Sequence, residues 1–260
     1  MIARLALPGQ VLIGGGALAE LPSVAAGLGI ARPLIVSDPT MREMGLTDRV
    51  AALLDDSGAR ATVFADTVPE PTTIEVERGA EILHAGKYDG LVALGGGSPI
   101  DTAKAMAILA ANGGRMRNYR APNPIPRKGL PLIAIPTTAG TGSEVTRFTV
   151  VTDAETDEKM LIAGPSVTPT AAIVDWELTV TMPPRLTADT GIDALTHAIE
   201  AYVSRKANPF SDTMALSAMR RIWTNIRTAG RDGQDGAARA AIMQGPTEAG
   251  IAFSNASVAL

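Results

Sequence analysis

Short apolar runs alternate with amphipathic stretches through most of the chain. Val11-Leu12-Ile13 stops at three glycines, Gly14 to Gly16, and a helical pattern runs from Ala17 to Leu28. Pro33 to Asp38 reads as a buried strand ending in an acid, Leu46 to Leu54 as a helix and Ala61 to Phe64 as a strand. Thr73 to Ala85 is amphipathic, and Gly90 to Leu94 is continuously apolar, as suits a strand covered on both faces. A helix through Lys104 to Ala111, a Pro- and Arg-rich loop from Asn118 to Gly129 and a strand from Leu132 to Ile135 follow. Val145 to Thr152 and Met160 to Ala163 pattern as a β-ribbon about a polar turn, Asp153 to Glu158, and Ala171 to Asp175 reads as the last strand. Strands and helices in alternation predict a parallel sheet with helices on both faces.

The texture changes at Met182-Pro183-Pro184. Beyond it the patterns are only helical: Thr190 to Val203, Ser211 to Thr228 and Gly236 to Leu260, broken at Asn208-Pro209 and between Gly230 and Gly233. The expected organisation is therefore an α/β domain, residues 1-182, and an all-helical domain, residues 183-260. The last segment stays small and apolar to Leu260, with no capping glycine or polar tail. It reads as a helix cut in its course, so the expectation is a piece of a longer polypeptide. Its apolar face from Gly250 onward should then lie open and drive association.

Composition narrows the function classes. Hydrophobic residues make up 46% of the 260 residues and charged ones 19%, enough for a sizeable core. Aromatics are only 3%, so that core is aliphatic. A net charge of -4 argues against nucleic acid as partner. No apolar run is long enough to cross a bilayer, and the first residues do not pattern as a secretory signal, so no membrane partner is expected. The chain has no cysteine, which removes disulfides and thiolate chemistry and makes the cytoplasm the expected compartment. Its two histidines are His84, expected on a helix surface, and His197.

Four features could carry chemistry. Gly95-Gly96-Gly97-Ser98-Pro99 joins an apolar strand to a helix. Ser98 is placed as N-cap and Pro99 at the first helical position, and the free N–H groups suit a pyrophosphate; the other reading is a flexible turn. Asp38 ends the second strand, where an acid can bind ribose hydroxyls and disfavour a 2′-phosphate, or simply shape a turn before Pro39. Pro136 to Glu144 packs four hydroxyl side chains and two glycines into a loop after a strand. Asp193 and His197, four apart, share a helix face. They can reach one divalent metal, or form an ordinary Asp–His contact.

Taken together these residues resemble the iron-containing alcohol dehydrogenase family, which includes lactaldehyde reductases and 1,3-propanediol dehydrogenases. The likeness rests on Gly95 to Lys104, Pro136 to Thr146, Thr190 to Tyr202 and Gly250 to Ala256, in that order. It implies a dehydroquinate synthase-like fold, a parallel-sheet dinucleotide-binding domain followed by a helical one, with the site between them. It implies that Asp38, Gly96, Gly97, Ser98, Asp101, Thr137, Thr138, Thr141, Lys159 and Leu178 contact NAD, with NADP the lesser candidate. Asp193 and His197 would be the first two ligands of Fe2+, with Zn2+ as the other candidate, and two further histidines would follow beyond residue 260. No general base is assigned. The substrate implied is a small alcohol or aldehyde, and the assembly a homo-oligomer. Where the family often has Asn-Pro-Thr, this chain has Glu70-Pro71-Thr72. The competing expectations are a non-catalytic nucleotide-binding module and a metal-independent enzyme resembling maleylacetate reductase.

Overall fold

The computed structural model describes residues 5–258. Six strands form one parallel sheet: β1 (Gln10–Ile13), β2 (Pro33–Val36), β3 (Thr62–Phe64), β4 (Gly90–Gly95), β5 (Leu132–Pro136) and β8 (Ala171–Val174), in the order β1-β8-β5-β4-β2-β3. β6 (Phe148–Asp153) and β7 (Glu158–Ala163) make a separate antiparallel ribbon. The connecting helices are α1 (Leu21–Gly27), α2 (Pro39–Glu43), α3 (Leu46–Asp56), α4 (Thr73–Gly86) and α5 (Gly97–Asn112). Three long helices follow: α6 (Pro184–Val203), α7 (Pro209–Arg231) and α8 (Gly236–Ala256).

Strand alternation divides the core. Ile35, Val92, Leu94, Ile133 and Ile135 point to one face and pack on Leu21 and Val24 of α1 and Val50 and Leu54 of α3. Their neighbours Leu34, Val36, Leu91, Ala93, Leu132 and Ala134 point to the other and meet Leu83 of α4 and Ile100, Ala103 and Met106 of α5. A sheet apolar on both faces needs this double cover, which is why its strands read as unbroken apolar runs. The ribbon buries Val151, Met160 and Ile162 against Ile108 and Met116, and turns Val150, Lys159 and Leu161 outward. In the helical part the contacts are made through small residues. Ala194 and Ala198 of α6, Ala218 of α7 and Ala249 of α8 share one cluster with Ile222 and Ile226.

The structure corrects several expectations. α2 is not apparent in the apolar pattern; Asp38 caps it, accepting from the Met41 N–H at 2.9 Å. Residues 17–20 form a 3₁₀ turn before α1, and the ribbon starts at Phe148, because Ser143–Val145 is another 3₁₀ turn. α5 begins at Gly97 with Gly96 as its N-cap, so Ser98 is not the cap and Pro99 is not its first residue. α6 begins at Pro184, where a proline's missing N–H costs nothing. Much of the stretch from Gly250 expected to lie open is buried: Ala252, Ser254, Asn255 and Ala256 pack inward, while Ile251 and Phe253 are half-buried. The expectation extended to Leu260, and residues 259–260 lie outside the described residues. Val258, just past the helix, is exposed, and further exposed apolar side chains sit on α6 (Ile192, Ile199, Val203) and α7 (Leu216, Trp223). No described helix is long and apolar enough to cross a membrane.

Candidate functional site

The carboxyl ends of β2, β4 and β5 converge on one place. β4 ends at Gly95, whose φ of 144° lies where side chains are rarely tolerated. A Cβ there would stand 2.6 Å from Pro99 Cγ and 3.1 Å from Asp38 Oδ2. One on Gly96 would stand 3.2 Å from Thr138 Oγ1, and one on Gly97 2.8 Å from Thr141 Cγ2. The glycine turn thus lies directly against Asp38 on one side and the threonine loop on the other. No side chain caps α5, so its first N–H groups are left for a ligand. Thr137 is buried, and its hydroxyl has no hydrogen-bond partner. A cradle without side chains, an uncapped helix start and an orphaned hydroxyl fit a dinucleotide pyrophosphate.

On α6, His197 Nδ1 and Asp193 Oδ2 are 3.9 Å apart, side by side but too far for a hydrogen bond. His197 Nδ1 is buried without a partner. The imidazole packs on Phe253 of α8 with ring centres 4.9 Å apart, and Phe253 stacks on Phe148 of the ribbon at 6.4 Å. Phe148 and Phe253 are two of four phenylalanines in the chain, and neither stands out in the sequence as a site residue. A lone aromatic in an aliphatic chain was the available signal. The Asp–His pair has the donor chemistry for a metal, but no group of three or more potential ligands occurs among the described residues. It fits as part of a site, not as a whole one.

A cavity of about 360 Å3 joins these parts. Gly97, Asp101, Thr141, Ser143, Phe148, His197 and Phe253 all line it. The wall beneath is a buried polar network. Lys104 Nζ donates to Ser143 Oγ at 2.9 Å, Thr146 Oγ1 at 3.1 Å and the carbonyls of Thr146 and Phe148 at 3.2 and 2.8 Å. Asp101 accepts from Ser143 Oγ and from the Val150 N–H. Glu144 accepts from Thr247 Oγ1 of α8 at 2.7 Å. Burial draws the Lys104 ammonium down to about 8, against the pull of Asp101 and Glu144. Burial likewise pushes both carboxyls up, opposed at Asp101 by Lys104 and at Glu144 chiefly by the Thr247 hydrogen bond.

Of the residues singled out in the sequence, the fold brings Asp38, Gly96, Gly97, Thr137, Thr138 and Thr141 together, with Ser98 in the first turn of α5 and Asp101 in the cavity wall. Lys159 stands on the ribbon's outer face and pairs with Glu70 at 2.7 Å, so the departure at Glu70 gives this lysine a carboxylate partner. Leu178 is not brought to the cavity: it is buried in the sheet core with Leu18, Leu21 and Leu94. Lys104 and Glu144 stand in the sequence only as parts of motifs. Nothing in their spacing announces that both are buried.

Comparison with known proteins agrees with this arrangement. The family described as "Iron-containing alcohol dehydrogenase" matches residues 8–176, and "Fe-containing alcohol dehydrogenase family, C-terminal" matches residues 187–260. The NAD-dependent methanol dehydrogenase of Bacillus methanolicus is 40% identical over 98% of this chain and 67% of its own length. Long-chain-alcohol dehydrogenase 1 of Geobacillus thermodenitrificans is 42% identical over 99% of this chain and 66% of its own. The chain thus spans about two thirds of these relatives. A solved 1,3-propanediol oxidoreductase superposes with a TM-score of 0.97 at 34% identity, covering 99% of this chain and 68% of that one. A sulfoacetaldehyde reductase from Bifidobacterium kashiwanohense, solved in complex with NAD+, superposes at 0.94 and 34% identity, covering 99% and 68%. The chain belongs to the iron-containing alcohol dehydrogenase family.

Proposed function

We propose that the protein is a metal- and NAD-dependent alcohol dehydrogenase, passing hydride reversibly between a small alcohol and NAD. The observation that carries this reading is the shared cavity: Gly97, at the dinucleotide turn, and His197, on the metal-type helix, line one space. Residues 1-182 are read as the dinucleotide-binding domain and 183-260 as helical. Asp38, with Oδ1 engaged by the Met41 N–H, keeps Oδ2 beside Gly95 for ribose hydroxyls, and its charge disfavours a 2′-phosphate. The N–H groups at Gly97 and Ser98 bind the pyrophosphate, with Thr137, Thr138 and Thr141 behind them. Lys159 serves the ribose side from the ribbon.

Asp193 and His197 would hold Fe2+, or Zn2+ in its place, together with donors from elsewhere; a bound metal of this kind lowers an alcohol's pKa as a Lewis acid. Phe253 and Phe148 line that end of the cavity and keep it poor in water, which protects hydride transfer. The cysteine-free chain suits a reducing compartment, the cytoplasm, and the open apolar side chains of α6 and α7 suit self-association.

Steady-state assay of the protein with short alcohols or aldehydes, NAD(H) and added Fe2+ or Zn2+, followed by NADH absorbance, tests the reading. Turnover that needs the metal supports it. Absence of turnover with every metal and with both NAD and NADP would remove it.

A further inference from the structure

Hydride transfer fixes where the nicotinamide must lie. It has to reach from the pyrophosphate turn at Gly97 toward an alcohol held near His197, and both residues line the same cavity. Asp101 lies four residues beyond Gly97 on α5, on the same helix face, and lines the same cavity. Both of its carboxylate oxygens act as acceptors, Oδ1 from the Ser143 hydroxyl and Oδ2 from the Val150 N–H at 2.9 Å. Both donors, and Lys104 beyond them, favour the carboxylate and oppose the burial that pushes this carboxyl up.

The network behind it explains how a buried charge is kept there. Lys104 is 1% exposed, and its ammonium meets acceptors only: two hydroxyls and two carbonyls. Ser143 stands between the two charges, receiving from Lys104 and donating to Asp101. The other charged group facing the network is Glu144, held by Thr247 from α8. Two acidic groups thus face one basic group beside the cavity.

We propose that Asp101 is a specificity-determining residue for the redox state of the cofactor: its carboxylate favours the positively charged nicotinamide of NAD+ over the neutral ring of NADH, with Lys104 as the positioning residue that keeps it ionised and in place. This rests on the NAD-binding reading above. An acid here would otherwise be only a tie between α5 and the ribbon.

The test measures dissociation constants for NAD+ and for NADH on the 260-residue chain, by calorimetry and NADH fluorescence, with wild type, Asp101→Asn and Lys104→Met. Asp101→Asn should raise the ratio of the NAD+ constant to the NADH constant about tenfold, the worth of one pKa unit of charge interaction, with NADH binding little changed. Lys104→Met keeps the carboxylate but removes its cation. Its preference for NAD+ should therefore disappear on acidification at a higher pH than in the wild type. A tie without electrostatic function predicts that both constants weaken together, and an unchanged ratio in Asp101→Asn overturns the proposal. If that variant does not fold, the wild-type pH series decides: selectivity flat down to acid unfolding overturns it equally. A wild-type chain that binds neither cofactor sinks the NAD-binding reading itself, which is a different result from binding both without preference.

Discussion

The glycine turn after β4 and the Asp193–His197 ledge on α6 meet one cavity, through Gly97 and His197, yet they are assembled in different ways. The turn is built almost wholly of backbone. Its contacts come from neighbouring strand ends, within one sheet, and every part of it lies inside the described residues. The ledge has two side chains on one helix, 3.9 Å apart, and no third donor beside them among those residues. A phosphate can be held by groups that a single βαβ unit already presents. A metal needs three or four donors, and one helix face supplies two. The cofactor half of such a site is therefore local in the chain, and the metal half is collective.

The severest way to break this arrangement is at the joint between its halves. Gly142 has φ of 62°, and a Cβ there would stand 2.8 Å from both Gly250 Cα and the Pro246 carbonyl of α8. Backbone cannot yield as a side chain can, so Gly142→Ala should lower stability by about 3 kcal/mol, seen as a lower urea midpoint. An unchanged midpoint would mean that the threonine loop and α8 are not locked together.

Next in size is the buried lysine beneath the cofactor wall. Its free ammonium titrates at 10.5 and the buried one at about 8. Between those values the unfolded chain holds a proton that the native one has released, so stability should rise with pH through that window. The gain should be on the order of 1–3 kcal/mol. Lys104→Met should lack it, and the difference between the two urea profiles isolates the lysine from other alkaline titrations. Parallel profiles would show that the ammonium is not the group under strain.

Asp38 separates local capping from ligand binding. Asp38→Ala should lose about 1 kcal/mol with the cap of α2, whereas Asp38→Asn can still cap. Asp38→Asn should nonetheless shift the NADP-to-NAD affinity ratio about tenfold toward NADP, since it removes a charge facing the 2′ position. A ratio that stays put would move the ribose away from β2. The smallest expected effect is the sharpest for the comparison. His197→Ala should change NAD binding by less than about twofold, because the ledge lies outside the cradle. Metal content by elemental analysis should be substoichiometric in the dialysed 260-residue chain and absent in that variant. A full equivalent of metal in the 260-residue chain would show that the ledge is complete as it stands.

These differences also explain what could be read before the structure. Parallel strands buried on both faces, such as Gly90 to Leu94, announce themselves by unbroken apolar runs, and glycines in series after such a strand mark a close backbone approach. Asp193 and His197 were legible because a helix puts positions four apart on one face. Short-range detail was less legible. Ser98 has the right side chain to cap α5, but the cap falls two residues earlier, at Gly96, where backbone conformation decides. Long-range packing was not legible at all. That Leu178 turns into the core, that Lys104 is buried among acceptors, or that much of the apolar face of α8 is covered depends on residues far apart in the chain meeting in space.

The outward face of the β6–β7 ribbon has a practical use. Leu161 lines the cavity and is 45% exposed, and the chain contains no sulfhydryl of its own. A single cysteine installed at that position would be the molecule's sole thiol, so a fluorophore attached there would report filling of the cleft without background labelling elsewhere.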